Sequence, residues 1–196
     1  MVTTVTARRI TCQGGYYERV FTFVSGNLAL DFAGTVKARS TTFDDGLRTP
    51  ADLADWFRAA ELLDRVSDCD AATFAQAVRL REAAYRMAVA KAHGEIFADP
   101  DRRLVNELAK GEIPMLNLRP DGTLRRCGPP ATALAAIARA AIELLGGTAT
   151  VKECGRAACT RLYVDASRGG TRRWCDMTIC GNRAKSAAFR ARHTAE

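Results

Sequence analysis

A chain of 196 residues, 47% hydrophobic and 26% charged, has the make-up of a soluble globular protein: one domain, or one with a small appendage. Its apolar runs are only a few residues long, against roughly 20 needed to span a bilayer, and the N-terminal MVTTVTARRITCQGG lacks the apolar core of a secretory signal. The net charge of +7 is uneven: from Val151 onward ten Lys and Arg face four Asp and Glu, which leaves one net positive charge for everything before.

The first twenty residues have no clear period and read as an arm or a short edge strand. FTFV, Phe21 to Val24, reads as a strand that ends at the Ser25-Gly26 turn signal. NLALDFAGTVK, Asn27 to Lys37, has the spacing of a short helix with Leu28, Phe32 and Thr35 or Val36 inward. ARSTTFDDGLR then reads as a loop, its Asp44 and Asp45 solvated. Thr49 as cap and Pro50 at the first helical position open a helix with Leu53, Trp56, Phe57 and Ala60 on one face. The longest helix runs from about Asp70 to His93 and stops at Gly94; Trp56 and Tyr85 are core candidates. A shorter helix follows Asp99-Pro100 and ends near Gly111. MLNL and TLRRC flank Asp121-Gly122 as a β-hairpin. After Pro129-Pro130 a last helix of this half runs to Gly146-Gly147.

Four of the seven cysteines then fall within 27 residues. Cys154 and Cys159 form one CxxxxC pair, and Cys175 and Cys180 form another. Two short-spaced thiol pairs suit tetrahedral zinc, because each short loop aims two sulfurs at one point. Unrelated buried cysteines and a redox pair are the alternatives; redox motifs use CxxC at a helix start. Four cysteines leave no open position for water, so the metal would be structural and would supply the folding energy that a segment of this size lacks. The intervening chain reads as a hairpin, with RLYVD leading in, ASRGGT turning and RRWC returning. Cys12, Cys69 and Cys127 are scattered and need no role beyond packing or exposure.

The segment VKECGRAACTRLYVDASRGGTRRWCDMTICGNRAKSAAFRAR resembles the CGNR zinc-finger family in its CGNR signature at Cys180 to Arg183, its RRWC run, its LYVD strand and its basic helix. The resemblance implies zinc bound by Cys154, Cys159, Cys175 and Cys180. Upstream, FVSGNLALDFAGTV and LRTPADLADWF resemble the ABATE domain that usually precedes that finger, with Gly34 where the family pattern LDFxNT has asparagine. The implied role is stress-induced transcription regulation. The expected architecture is mainly α, with a helical N-terminal domain over residues 20–148 that carries a small hairpin, and a zinc-bound hairpin and helix over 151–193.

From Asn182 onward Ala184, Ala187, Ala188 and Ala191 make a small-residue stripe. Arg183, Ser186, Arg190 and His193 lie on one flank, Lys185, Phe189 and Arg192 on the other. Such a helix can grip phosphates, with Arg172 and Arg173 adding to the patch, or it can simply be solvated. RNA fits less well, for want of a row of exposed aromatics. Asp31, a carboxylate amid apolar residues, is a candidate ligand contact, but a structural partner such as Arg81 or Arg86 fits it better. Trp174 reads as a shield for the metal. No metalloprotease, phosphate-loop or nucleophile motif proposes a reaction, and the chain reads as non-enzymatic. The leading expectation is a cytoplasmic regulator with a structural Zn2+, DNA as partner, a small-molecule effector and a homodimeric state as further expectations, and no membrane. The rival is an interaction protein whose zinc module docks on another domain or subunit.

Overall fold

The computed structural model describes residues 6–10, 19–66, 69–156 and 158–193. The protein is mainly α, with six helices and four two-stranded antiparallel hairpins among these residues. β1 (Thr6–Ile10) pairs with β2 (Arg19–Phe23), so an edge strand does precede FTFV.

Helix α1 is shorter than the 27–37 expected from its apolar spacing: it spans Leu28–Ala33. Asn27 caps it by accepting from the Ala29 and Leu30 N–H groups. Val36 is drawn out of the helical path because β3 (Val36–Lys37) pairs with β4 (Asp44–Asp45). The inward face is as expected, with Phe32, Thr35 and Val36 buried. Asp44 is exposed as expected, but Asp45 is half-buried and paired. It receives both terminal nitrogens of Arg81, at 2.7 and 2.8 Å, and Arg81 is 2% exposed. A buried guanidinium needs such a partner, and the loop supplies it.

Helices α2 (Pro50–Ala59) and α3 (Ala71–His93) begin where their caps predict. Thr49 and Asp52 form a reciprocal capping box. Asp70 caps α3, and Gly94 ends it in the left-handed region at φ 71°. α4 (Asp99–Ala109) and α5 (Pro130–Gly146) complete the helical layer, and Lys91 of α3 donates to the Leu145 and Gly147 carbonyls at the end of α5. Trp56, Phe32, Phe57, Leu80 and Ile137 lie at the centre of the core. Tyr85 is half-buried, with the Arg39 guanidinium 3.9 Å above its ring. The hairpin β5 (Met115–Leu118) and β6 (Leu124–Cys127) stands on the surface. No helix among the described residues is long and apolar enough to cross a membrane.

The C-terminal hairpin differs from expectation. β7 (Val151–Glu153) pairs with β8 (Leu162–Val164), so LYVD is a strand but its partner is VKE, not RRWC. Residues 165–174 return without a ladder. They are held by side chains instead: Asp165 accepts from Ser167, Ser167 Oγ accepts from the Thr171 and Arg172 N–H groups, and Tyr163 donates to the Arg172 carbonyl at 2.7 Å. Val151 and Leu162 lie in the same core as the helices. The C-terminal module is therefore packed on the helical half through β7 and β8.

Candidate metal centre

Each cysteine pair is presented by a short turn with its own backbone closure. Cys154 follows β7, and its N–H reaches the Arg161 carbonyl across the hairpin; Cys159 N–H bonds Arg156. The second pair brackets a π-helical turn, Met177–Gly181, in which Gly181 N–H bonds the Asp176 carbonyl five residues back. Asp176 caps it, its Oδ1 accepting from Ile179 N–H and Thr178 Oγ. A bond from Gly155 N–H to the Arg173 carbonyl, 2.8 Å, ties one turn to the other.

The four sulfurs lie within 4.8 Å of one another. Cys159 and Cys175 are 3.8 Å apart, Cys175 and Cys180 3.6 Å. Sulfurs about 2.3 Å from a tetrahedral zinc lie about 3.8 Å from each other, so this set fits the ion. Cys154, Cys175 and Cys180 are buried and Cys159 is half-buried, with Trp174 packed against them. Their acid–base chemistry points the same way. Hydrogen bonds from the Cys159 and Cys175 thiols drive Cys154 far below its ordinary value. Cys175 is driven far up, chiefly because it donates to Cys154 and then to Cys159, and burial followed by the charge of its neighbours lifts Cys180 to about 11. Four thiols this close cannot all ionise unless a cation offsets their charge.

Comparison with known proteins agrees. The ABATE family profile, described as "Putative stress-induced transcription regulator", matches residues 26–148, well over half of the chain. The chain belongs to the ABATE family. The CGNR zinc-finger profile matches residues 150–193. No curated protein matches the chain. The zinc of this CGNR finger is structural: four cysteines from the two turns complete a tetrahedral shell and leave no position for water.

The remaining residues singled out in the sequence fall in different places. Arg172 is spent inside the protein. Its guanidinium donates to the carbonyls of Val24, Val164, Trp174 and Cys175, and lies 4.4 Å above the Tyr163 ring. Arg173 is exposed and sits over Trp174. Helix α6 (Asn182–His193) leaves the metal site with Arg183, Lys185, Ser186, Ala187, Phe189 and Arg190 all exposed and Ala184 half-buried. The side chains of Ala188, Ala191, Arg192 and His193 lie outside the described residues, as does Cys12. Cys69 and Cys127 are half-buried free thiols.

Asp31 has a structural partner, but neither Arg81 nor Arg86. Arg86 pairs with Asp101. The Asp31 Oδ1 accepts from the Val24 and Ser25 N–H groups at 3.0 and 2.9 Å, and burial raises its carboxyl above the ordinary value against the pull of those donors and of Arg161. Arg161 was not legible as important from sequence; it crosses to the ABATE domain and donates to the carbonyls of Thr22 and Gly34. Gly34 is the position where the family pattern has asparagine, and a Cβ there would stand 2.7 Å from the Arg161 guanidinium. In this chain, a side chain at 34 would oblige the flexible end of Arg161 to shift.

Proposed function

We propose that this ABATE protein is a zinc-dependent transcription regulator whose finger contacts DNA through α6, while the N-terminal domain responds to a small molecule. The observation that carries it is the position of the basic helix. The zinc centre fixes its start, and Arg183, Lys185 and Arg190 are exposed along it, in the part of the chain that holds nearly all the net positive charge. A backbone of phosphates is the partner such a surface fits. Arg173, also exposed, extends the interface; Arg172, with its guanidinium committed to four carbonyls, is left out of it. The regulator would act in a compartment that keeps thiols reduced, as the cytoplasm does.

The rival reading, a zinc module that docks on its own N-terminal domain, draws support from β7, β8, Arg161 and Arg172, whereas Arg183 and Lys185 of α6 are exposed. The test is a salt titration of binding to duplex DNA by anisotropy, with zinc-loaded protein and a chelated control. Arg183→Ala with Arg190→Ala is expected to weaken binding and to lower the salt slope by about 2, since each neutralised phosphate contributes about 0.9. Absence of salt-dependent binding by the wild type at low ionic strength overturns the proposal.

A further inference from the structure

A cavity of about 360 Å³ lies between the ABATE domain and the zinc turns. The β3–β4 segment forms one wall with Lys37, Ala38 and Asp44; the finger forms the other with Arg156, Asp176 and Arg183. The sulfur ligands Cys159, Cys175 and Cys180 border it as well. A zinc ion is no larger than a water molecule, whose share of liquid volume is about 30 Å³, so the ion leaves most of this space for something else.

Three features mark the space as a site. Asp176 is 4% exposed, and its Oδ1 is satisfied by the π-helical turn, but its Oδ2 is buried without a hydrogen-bond partner. The Nε of Arg156 is buried and unpartnered too. Native proteins rarely leave such atoms unpaired, and a ligand or ion is a standard reason. Finally, Ala38 and Phe43, at the two ends of the loop over the cavity, hold φ of +49° and +47°. Side-chain-bearing residues pay for that conformation, and it concentrates at ligand clamps and switches.

The lining also says what would bind. The floor is negative, with buried Asp176 and the thiolates of Cys175 and Cys180. Exposed Lys37, Arg183 and Asp44 form the rim, and half-buried Arg156 lines the cavity as well. Arg161 also lines the cavity but is engaged by Thr22 and Gly34. A complementary molecule has an anionic group for the rim and a hydrogen-bond donor for Asp176, whose Oδ2, closed off from solvent here, is reached once that side chain turns toward the cavity. We propose that this cavity binds a small hydroxy or amino acid, its carboxylate held by Arg156, Lys37 and Arg183 and its hydroxyl or ammonium donating to Asp176. The proposal deepens the regulator reading by naming the effector class, and it rests on that reading only for the effect on DNA. Arg183 serves both the cavity and the first turn of α6, so an occupied cavity withdraws a cation from DNA, and by linkage DNA weakens the acid.

Calorimetric titration of the zinc-loaded full chain, without DNA, tests the site. The probes are L-malate and L-aspartate, with succinate as the acid that lacks a donor and ethanolamine as the donor that lacks an acid. L-malate or L-aspartate is expected to bind at least tenfold tighter than either control. Arg156→Gln and Asp176→Asn are each expected to weaken it at least tenfold, with zinc content measured to confirm an intact finger. Lys37→Ala, on the β3 wall and outside the finger, is expected to weaken it several-fold. Failure of both acids to bind, equal binding of succinate, or unchanged binding by all three variants overturns the proposal. If the acid binds but leaves DNA affinity unchanged, the cavity stands and the regulatory link falls. If DNA binds and no acid does, the cavity proposal fails alone.

Discussion

Arg172→Ala is expected to destabilise the finger rather than to remove a DNA contact. The guanidinium donates at 2.9 Å to Trp174, at 3.2 Å to Val24 and at 3.3 Å to Val164, with a fourth bond to Cys175. Charged hydrogen bonds of this kind contribute about 1.5–3 kcal/mol each when fully buried. Arg172 is half-buried and two of its bonds are long, so about 1 kcal/mol for each of the four is the better figure. Loss of the ring contact with Tyr163 adds about 0.5–1 kcal/mol, and water reaching the freed carbonyls takes some of this back. The expected cost is about 3–4 kcal/mol, near the upper end for a point substitution. Arg172→Lys, which keeps the charge but lacks the fork, should cost about 2 kcal/mol. Urea unfolding of the zinc-loaded protein, followed by tryptophan fluorescence, reads both. A loss below about 1 kcal/mol for the alanine variant, with DNA affinity reduced, refutes the reasoning and returns Arg172 to the interface.

Asp31→Ala leaves the Val24 and Ser25 N–H groups unpaired and is expected to cost about 2–4 kcal/mol, whereas Asp31→Asn keeps an acceptor and should cost under about 1 kcal/mol; equal losses in thermal unfolding would count against the backbone clamp. Lys152 and Ser167 hold the Asp165 carboxyl at about 2, below its ordinary value, so its contribution is present above about pH 4 and is lost as pH falls toward 2. Asp165→Asn should therefore flatten the acid limb of stability against pH, and an unchanged limb argues against the pairing. Chelation of zinc is expected to release the segment after β8 while the helical circular dichroism largely persists, because Val151 and Leu162 remain in the common core; a collapse of the whole helical signal contradicts that division. Serine at any one of Cys154, Cys159, Cys175 or Cys180 should abolish tight one-to-one zinc binding, as measured by metal analysis of the purified protein.

What could be read from the sequence was whatever chemistry writes locally. Thr49-Pro50, Asp70 and Gly94 announce their helix ends because caps act within one turn. The two cysteine pairs announce a metal site because each pair is built by one short loop. Strands of two or three residues, such as β3, β4 and β7, are too short to show a period, and so nothing in the sequence marks VKE as the partner of LYVD. The use of Arg172 was hidden for another reason: one of its acceptors, the Val24 carbonyl, lies 148 residues away and is backbone, which has no letter of its own. Asp45 as the partner of Arg81, and the cavity assembled from two distant segments, were hidden in the same way.

Val24 and Ser25 draw bonds from both halves of the chain. Asp31 takes their two N–H groups, while Arg172 and the Val164 N–H take their two carbonyls. This makes the finger a poor cassette for transplantation. Grafted onto an unrelated protein it would keep its cysteines and its basic helix, but the arginine that steadies Cys175 would lose the Val24 carbonyl that anchors it to the rest of the fold. Chimeras between ABATE proteins should tolerate an exchange of fingers when the recipient offers a strand end of the same shape. Where it does not, the two halves have to be exchanged together.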